Sequence, residues 1–248
     1  MTLKTDNRLH SLDFIRGIAI ISMIIYHTCW DLSFMYDVKI LQSMDVYAYI
    51  WQQSICITFI LLSGFCFSLS KNSLKRGIIV FIAGGIVTAI TLVFMKQNAV
   101  VFGILTFIGV AMIICSLGSK LLSRLNPAFS LSLSLLLFMV TRGVNKGYLG
   151  FYGVKLLSIP RFFYKNIFTS FLGFPNSSFS STDYFSLFPW LFLFLSGYFL
   201  FMLFKKKKIK IPKGKNIPVV NFIGRHSLII YLLHQPIIYG FLSLIFAK

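Results

Sequence analysis

The sequence predicts an all-α, polytopic membrane helix bundle of about seven transmembrane helices, and three observations carry that prediction. Hydrophobic residues make up 57% of the 248, charged residues only 12%, and the mean hydropathy is +0.82. A soluble domain carries about a quarter charged residues, so this chain has too few to cover a water-facing surface. Apolar runs of about the length that crosses a bilayer recur along the chain. Between them, Lys and Arg alternate between rich and poor loops. The same composition excludes a disordered chain and a disulfide-stapled secreted scaffold.

The runs lie near residues 11–34, 46–70, 77–95, 99–117, 128–142, 184–204 and 222–246. The first is too long for a cleaved signal segment, carries charges within itself and lacks a small-residue cleavage pattern, so it is helix one. The second holds Ser63-Gly64, a small pair suited to close helix packing. The third and fourth are uniformly apolar. The fifth is the shortest against the roughly 20 residues a span needs, and its end can lie further along. Residues 145–183 form the one long non-spanning stretch, rich in Ser, Phe and Gly with Pro160 and Pro175, which suggests a loop with short interfacial helices. The sixth run follows, then a lysine run, then the seventh. The whole of 1–248 reads as a single transmembrane domain.

Net charge is +18, from 24 Lys and Arg against 6 acidic residues, all Asp. In a soluble protein that balance would suggest nucleic acid; here nucleic acid is not expected, and the charge marks the face toward anionic lipid. The rich loops hold Lys4 and Arg8, then Lys71, Lys75 and Arg76, then Lys120 and Arg124, and finally Lys205 to Lys208 with Lys210, Lys213 and Lys215. The N-terminus is therefore expected in the cytoplasm and the C-terminus outside. Cys29, Cys56, Cys66 and Cys115 all sit in apolar runs as small hydrophobes. With no metal-spaced Cys/His cluster, no metal is expected.

Helix one carries the chemistry. Asp13, Arg16, His27 and Asp31 are four ionisable side chains within one span. At about 100° per residue, His27 returns to about 20° from Arg16, and Asp13 and Asp31 fall about 60° from it on the same side. A charge inside a membrane helix costs a few kcal/mol, so such a row must face protein or water and marks a functional site by default. A structural alternative is an Asp13–Arg16 ion pair at the cytoplasmic boundary, which leaves His27 and Asp31 unexplained.

The last span carries a second row. Ser227, Tyr231 and His234 fall within about 60° of one another. Arg225 and His226 do not share that face; they fit a turn at Gly224, with Ser227 capping the helix that follows. Pro236 removes a backbone donor, and His234 with Gln235 can satisfy the freed carbonyls. Before span six, Asp183 is the sole acid in the second half of the chain. It can pair with Arg161 or Lys165 or serve the site, and Trp190 and Tyr184 can be interfacial belt aromatics.

Leu12-Asp13-Phe14-Ile15-Arg16-Gly17-Ile18-Ala19, Ser63-Gly64-Phe65, Asp183-Tyr184-Phe185 with Phe188-Pro189-Trp190, and Gly224-Arg225-His226-Ser227 through His234-Gln235-Pro236 resemble the heparan-alpha-glucosaminide N-acetyltransferase catalytic-domain family in a short, bacterial-type form. The Arg16-to-His27 spacing also resembles acyltransferase family 3 membrane acyltransferases. The resemblance implies a multi-pass enzyme of a bacterial plasma membrane that takes acetyl from cytosolic acetyl-CoA and delivers it across the membrane to a hydroxyl or amine. The acceptor it implies is an envelope sugar or glycolipid rather than heparan, because the chain is short. Membrane lipids and a second copy of the chain are the other candidate partners.

Those expectations assign roles. His27 is the candidate general base. Asp31, one turn on, can orient its ring, and Asp13, Asp183 and His234 complete the candidate catalytic set. Arg16 is the first candidate contact to the cofactor arm, joined by Arg225, Ser227, Tyr231 and Trp190; Tyr231 or His234 can donate to an oxyanion. The lysines of 71–76 and 205–215 would attract CoA phosphates. Two other classes fit the same composition. A proton-coupled transporter would use the intramembrane Arg16, His27, Asp31 and His234, but its inverted repeat is missing. A membrane scaffold would use the lysine run on anionic lipid.

Overall fold

The computed structural model describes residues 9–41, 45–151, 153–214 and 217–246. The helices are α1 (His10–Phe34), α2 (Asp45–Phe67), α3 (Ser73–Phe94), α4 (Ile104–Leu117), α5 (Ser119–Leu122), α6 (Pro127–Val140), α7 (Ile167–Leu172), α8 (Leu187–Lys206), α9 (Pro218–Arg225) and α10 (Ser227–Ile245). Between α6 and α7 lie β1 (Tyr148–Phe151) and β2 (Val154–Ser158). Each of the seven predicted apolar runs is a helix, and the bundle is all-α apart from that hairpin.

Six of these helices are long and apolar enough to cross a membrane, with the sixth-run helix α8 at 20 residues and α1 at 25. The fifth run reaches that length because the chain continues past Val140 through a turn and a 3-10 segment to Lys146, for 20 residues. The short one is instead α4, with 14 residues; Gly118 ends it and α5 follows directly. Outward-facing residues are apolar: Val93 and Phe94 of α3 are 69% and 78% exposed. A water-soluble bundle would bury that surface, whereas lipid covers it at no cost. The chain is a multi-pass integral membrane protein.

The described chain falls into two compact units, 1–59 with 209–248 and 60–208. In the first, α1 packs on α9 and α10. Glycine makes the α1–α9 contact. A Cβ on Gly224 would stand 1.9 Å from the Asp13 carbonyl oxygen, and one on Gly17 would stand 2.1 Å from that of Val220. Ile20, Met23 and Ile55 form the core here, with Tyr26, Trp51, Ile223 and Tyr231 against it. Trp51 Nε1 donates to Ser22 Oγ at 2.8 Å, joining α2 to α1.

In the second unit α3 packs on α4 and α6 on α8. The small pair predicted for packing does so: a Cβ on Gly64 would meet the Phe194 carbonyl oxygen at 2.0 Å, and Gly197 reciprocates against Leu61 at 2.1 Å. Phe107 and Phe194 are fully buried. The 145–183 stretch departs from the expected short helices alone. It holds α7, but also an antiparallel hairpin in which Tyr148 faces Ser158 and Leu149 faces Leu157, with an irregularity between Leu149 and Gly150. Gly147, Gly150 and Gly153 all take positive φ, which lets the chain turn back tightly there and which a helix would not allow.

Candidate functional site

The predicted row on α1 is continuous, because α1 is an unbroken helix from His10 to Phe34. Its polar side chains face protein. Asp13 is 5% exposed and Asp31 fully buried, while Arg16 and His27 are half-buried. At about 1.5 Å per residue the row from Arg16 to His27 rises about 16 Å. At one end of the row Arg16 Nη1 lies 3.7 Å from Asp13 Oδ1, so the two form an ion pair one turn apart on α1.

At the upper end α10 supplies the facing groups. The rings of His27 and His234 are 5.0 Å apart between centroids, with planes at 62°. Tyr26 packs edge-on to His27 at 5.9 Å and to Trp51 at 5.4 Å, and Tyr231 lies 5.2 Å from His234. His234 is 8% exposed, and its Nδ1 sits 2.5 Å from the Tyr231 carbonyl oxygen. A carbonyl can only accept, so that contact places the ring proton on Nδ1 and leaves Nε2 with a lone pair. Nε2 is buried and has no hydrogen-bond partner among the described residues.

Asp31 takes a different partner from the expected one. Both of its carboxylate oxygens accept from Gln235 Nε2, each at 2.9 Å, and it makes no bond to His27. Gln235 therefore reaches across to α1 instead of capping carbonyls freed by Pro236, and α10 runs through Pro236 without interruption. Its own Oε1 is buried without a hydrogen-bond partner among the described residues. The structure thus brings together His27, Asp31, Tyr231, His234 and Gln235. The upper end of this site offers two buried acceptor atoms and a buried carboxylate, a set that suits a ligand rich in N–H or O–H donors.

The remaining predicted residues lie elsewhere. Arg225 is exposed at the end of α9, where its Nε donates to the Asn221 carbonyl at 3.2 Å. The predicted break after Gly224 is present, at His226, but Ser227 is the first residue of α10 and makes no capping bond; His226 holds the cap position. Asp183 and Trp190 belong to the second unit. Asp183 Oδ2 accepts from the Ile104 amide at 3.3 Å, at the start of α4, where an anion complements the helix dipole. Trp190 is buried, with the Arg142 guanidinium 4.4 Å above its ring and Phe185 at 4.9 Å.

Sequence reasoning missed Gln235 as the partner of Asp31 and Arg142 as the partner of Trp190. The first had a visible signal, since Gln235 follows His234 directly and an amide in a span needs a polar neighbour. Asn221 is a further one: it is fully buried in α9, and its Nδ2 lies 3.3 Å from His10 Nδ1. Among the described residues no group of three or more His, Cys, Asp and Glu could hold a metal ion.

The family model described as heparan-alpha-glucosaminide N-acetyltransferase, catalytic, matches residues 8–236, nearly the whole length and both units. The chain belongs to that family and is a membrane acetyltransferase. No curated protein and no solved structure gives a significant match.

Proposed function

We propose that this family member moves an acetyl group from cytosolic acetyl-CoA to an amine or hydroxyl of an extracytoplasmic envelope sugar or glycolipid. In this reading 1–248 is one transmembrane domain with its N-terminus inside, its C-terminus outside, and His27 as general base. The uninterrupted family match across both units supports a single domain. The observation that carries the chemistry is the pairing of His27 with His234 at 5.0 Å between membrane-spanning helices, beside the buried Asp31. Ionisable groups are retained at such depth only where they work or are fully paired.

Acetyl-CoA supplies an activated thioester carbonyl. The chain's residues then have separable tasks. His27 takes the proton from the attacking nitrogen or oxygen of the acceptor as the new C–N or C–O bond forms, and returns it to the departing CoA sulfur as the C–S bond breaks. Asp31, held in place by Gln235, lies one turn away and favours the imidazolium that forms in between. Tyr231 offers a hydroxyl donor to the carbonyl oxygen as it gains charge. His234 Nε2 and Gln235 Oε1 are the acceptor atoms for donor groups of the sugar.

Arg16 steadies the anionic cofactor arm at the other end of the row. Basic residues collect nearby: the Ser11 amide donates to the Lys213 carbonyl at 2.9 Å, so the end of the lysine run lies against the start of α1. Arg225 is exposed on α9, which packs on α1, and can add a phosphate contact. Asp183 and Trp190 already have partners within their own unit, so the transfer step is assigned to α1 and α10.

The test is ligand-induced stabilisation. Saturating acetyl-CoA is expected to raise the Tm of the detergent-solubilised protein, because a ligand at about a hundred times its Kd adds about 2.7 kcal/mol. Arg16→Ala should shrink the shift. Absence of any shift in the unaltered protein would contradict the reading.

A further inference from the structure

The hairpin of β1 and β2, with the segment that leads into α7, has an unusual surface for a loop. β2 is exposed along its whole length. The register pairs Leu149 with Leu157 but Gly150 with Lys155, so Leu156 is an extra residue in β2; Val154 and Leu157 share one face, and Lys155 takes the other, with its Nζ 5.6 Å from the Tyr148 ring centroid. Val154, Leu156 and Leu157 are 63%, 66% and 63% exposed, so this strand presents aliphatic surface to the outside. Phe162, Ile167 and Phe168, further on, are similarly exposed. A hairpin meant for water would hide one face and make the other polar.

We infer that this hairpin and the segment through Phe168 lie in the headgroup region of the membrane, as an anchor for anionic lipid. Three observations fix the occupant as lipid. Charge is the first: Lys146, Lys155, Arg161 and Lys165 punctuate the segment, and no acidic residue occurs between Asp45 and Asp183. Cations placed among apolar side chains match a surface of anionic headgroups over acyl chains.

Continuity is the second. The hairpin leaves the last turn of the span that ends at Lys146, and Tyr148 is buried against Gly143, whose Cβ position lies 2.3 Å from its ring. That contact holds the hairpin close to the end of the span. The third is the ring content. Phe162 lies tilted against Phe163 at 4.2 Å, and Phe163 stacks on Phe174 at 5.4 Å, an apolar ring cluster of the kind that sits at the headgroup–acyl boundary.

The test places a reporter on β2 of the full-length protein. A nitroxide on Leu157→Cys, in a background with Cys29, Cys56, Cys66 and Cys115 changed to Ala, is reconstituted in vesicles of phosphatidylcholine alone or mixed with phosphatidylglycerol. The expected result is collision with oxygen exceeding collision with a water-soluble nickel chelate, and more so with phosphatidylglycerol present. Changing Lys155, Arg161 and Lys165 together to Gln should remove that dependence on lipid charge. Should the cysteine-free background fail to fold, Leu156→Trp in the native background reports through its added quenching by brominated lipid. Nickel collisions like those of an open loop, or no added quenching, would overturn the proposal. So would spin–spin broadening that vanishes when labelled protein is diluted with unlabelled protein, which would assign the face to a second copy. A response unchanged by lipid charge would remove the anionic partner.

Discussion

Both carboxylate oxygens of Asp31 accept from Nε2 of Gln235, 204 residues further along the chain, each at 2.9 Å. The bond joins the first and last membrane-spanning helices at a buried point. It also decides how the facing histidines are read: Asp31 is clamped by an amide, so it influences His27 through its charge and not by gripping its ring.

Cutting that clamp has a predictable cost. Gln235→Leu leaves a fully buried carboxylate without its donor, and a lost hydrogen bond to a charged group costs about 1.5–3 kcal/mol. Thermal unfolding in detergent should show a lowered Tm for Gln235→Leu. The double variant Asp31→Leu with Gln235→Leu should recover much of the loss, because neither partner is then left orphaned.

His234 is expected to govern rate more than acetyl-CoA binding. With its Nδ1 proton held by the Tyr231 carbonyl, Nε2 is the free acceptor, and His234→Phe removes it while keeping a ring. The kcat should fall by an amount on the order of a hundredfold, with the KM for acetyl-CoA little changed. A variant with normal kcat and a raised KM would move His234 to the cofactor side.

The crossing of α1 and α9 depends on missing side chains. Gly224→Ala drives a methyl into the Asp13 carbonyl, where the available gap is 1.9 Å, and only backbone movement can relieve it. Overpacking of this kind costs about 1–3 kcal/mol. A lowered Tm is expected for Gly224→Ala. Gly240→Ala on α10, where no neighbour lies within 4 Å, serves as the neutral control.

Outside the spans, burial pushes the Tyr184 phenol up to about 12, and its hydroxyl donates to the Ser170 carbonyl. An unfolded tyrosine ionises near 10. The folded state therefore keeps its proton where the unfolded state has lost it, and this contribution is complete below about pH 10 and declines as pH rises toward 12. Unfolding monitored by tyrosine absorbance should show stability falling across that interval. Tyr184→Phe should flatten the fall and lower the plateau at neutral pH by about 1 kcal/mol.

Hydropathy made the seven helices legible, because lipid demands long apolar runs and tolerates little else. Helical periodicity did the same for the α1 row, since Asp13, Arg16, His27 and Asp31 belong to one rigid helix. What could not be read were contacts made between helices. Gln235 stands beside Pro236, where a local role satisfies the same chemistry, and only the packing of α10 on α1 selects Asp31 instead. Asp183 shows the same limit: no local pattern names the Ile104 amide, 79 residues earlier in the chain, from which its Oδ2 accepts. The hairpin was hidden because Leu156 is an extra residue in β2, which breaks the alternation that marks a half-buried strand.

The most direct measurement is CoA release by purified protein given labelled acetyl-CoA and a panel of envelope sugars, comparing the unaltered chain with His27→Ala. The account predicts acceptor-dependent release that falls at least about a hundredfold in the variant, while the variant keeps its Tm. Undiminished release from His27→Ala would contradict it.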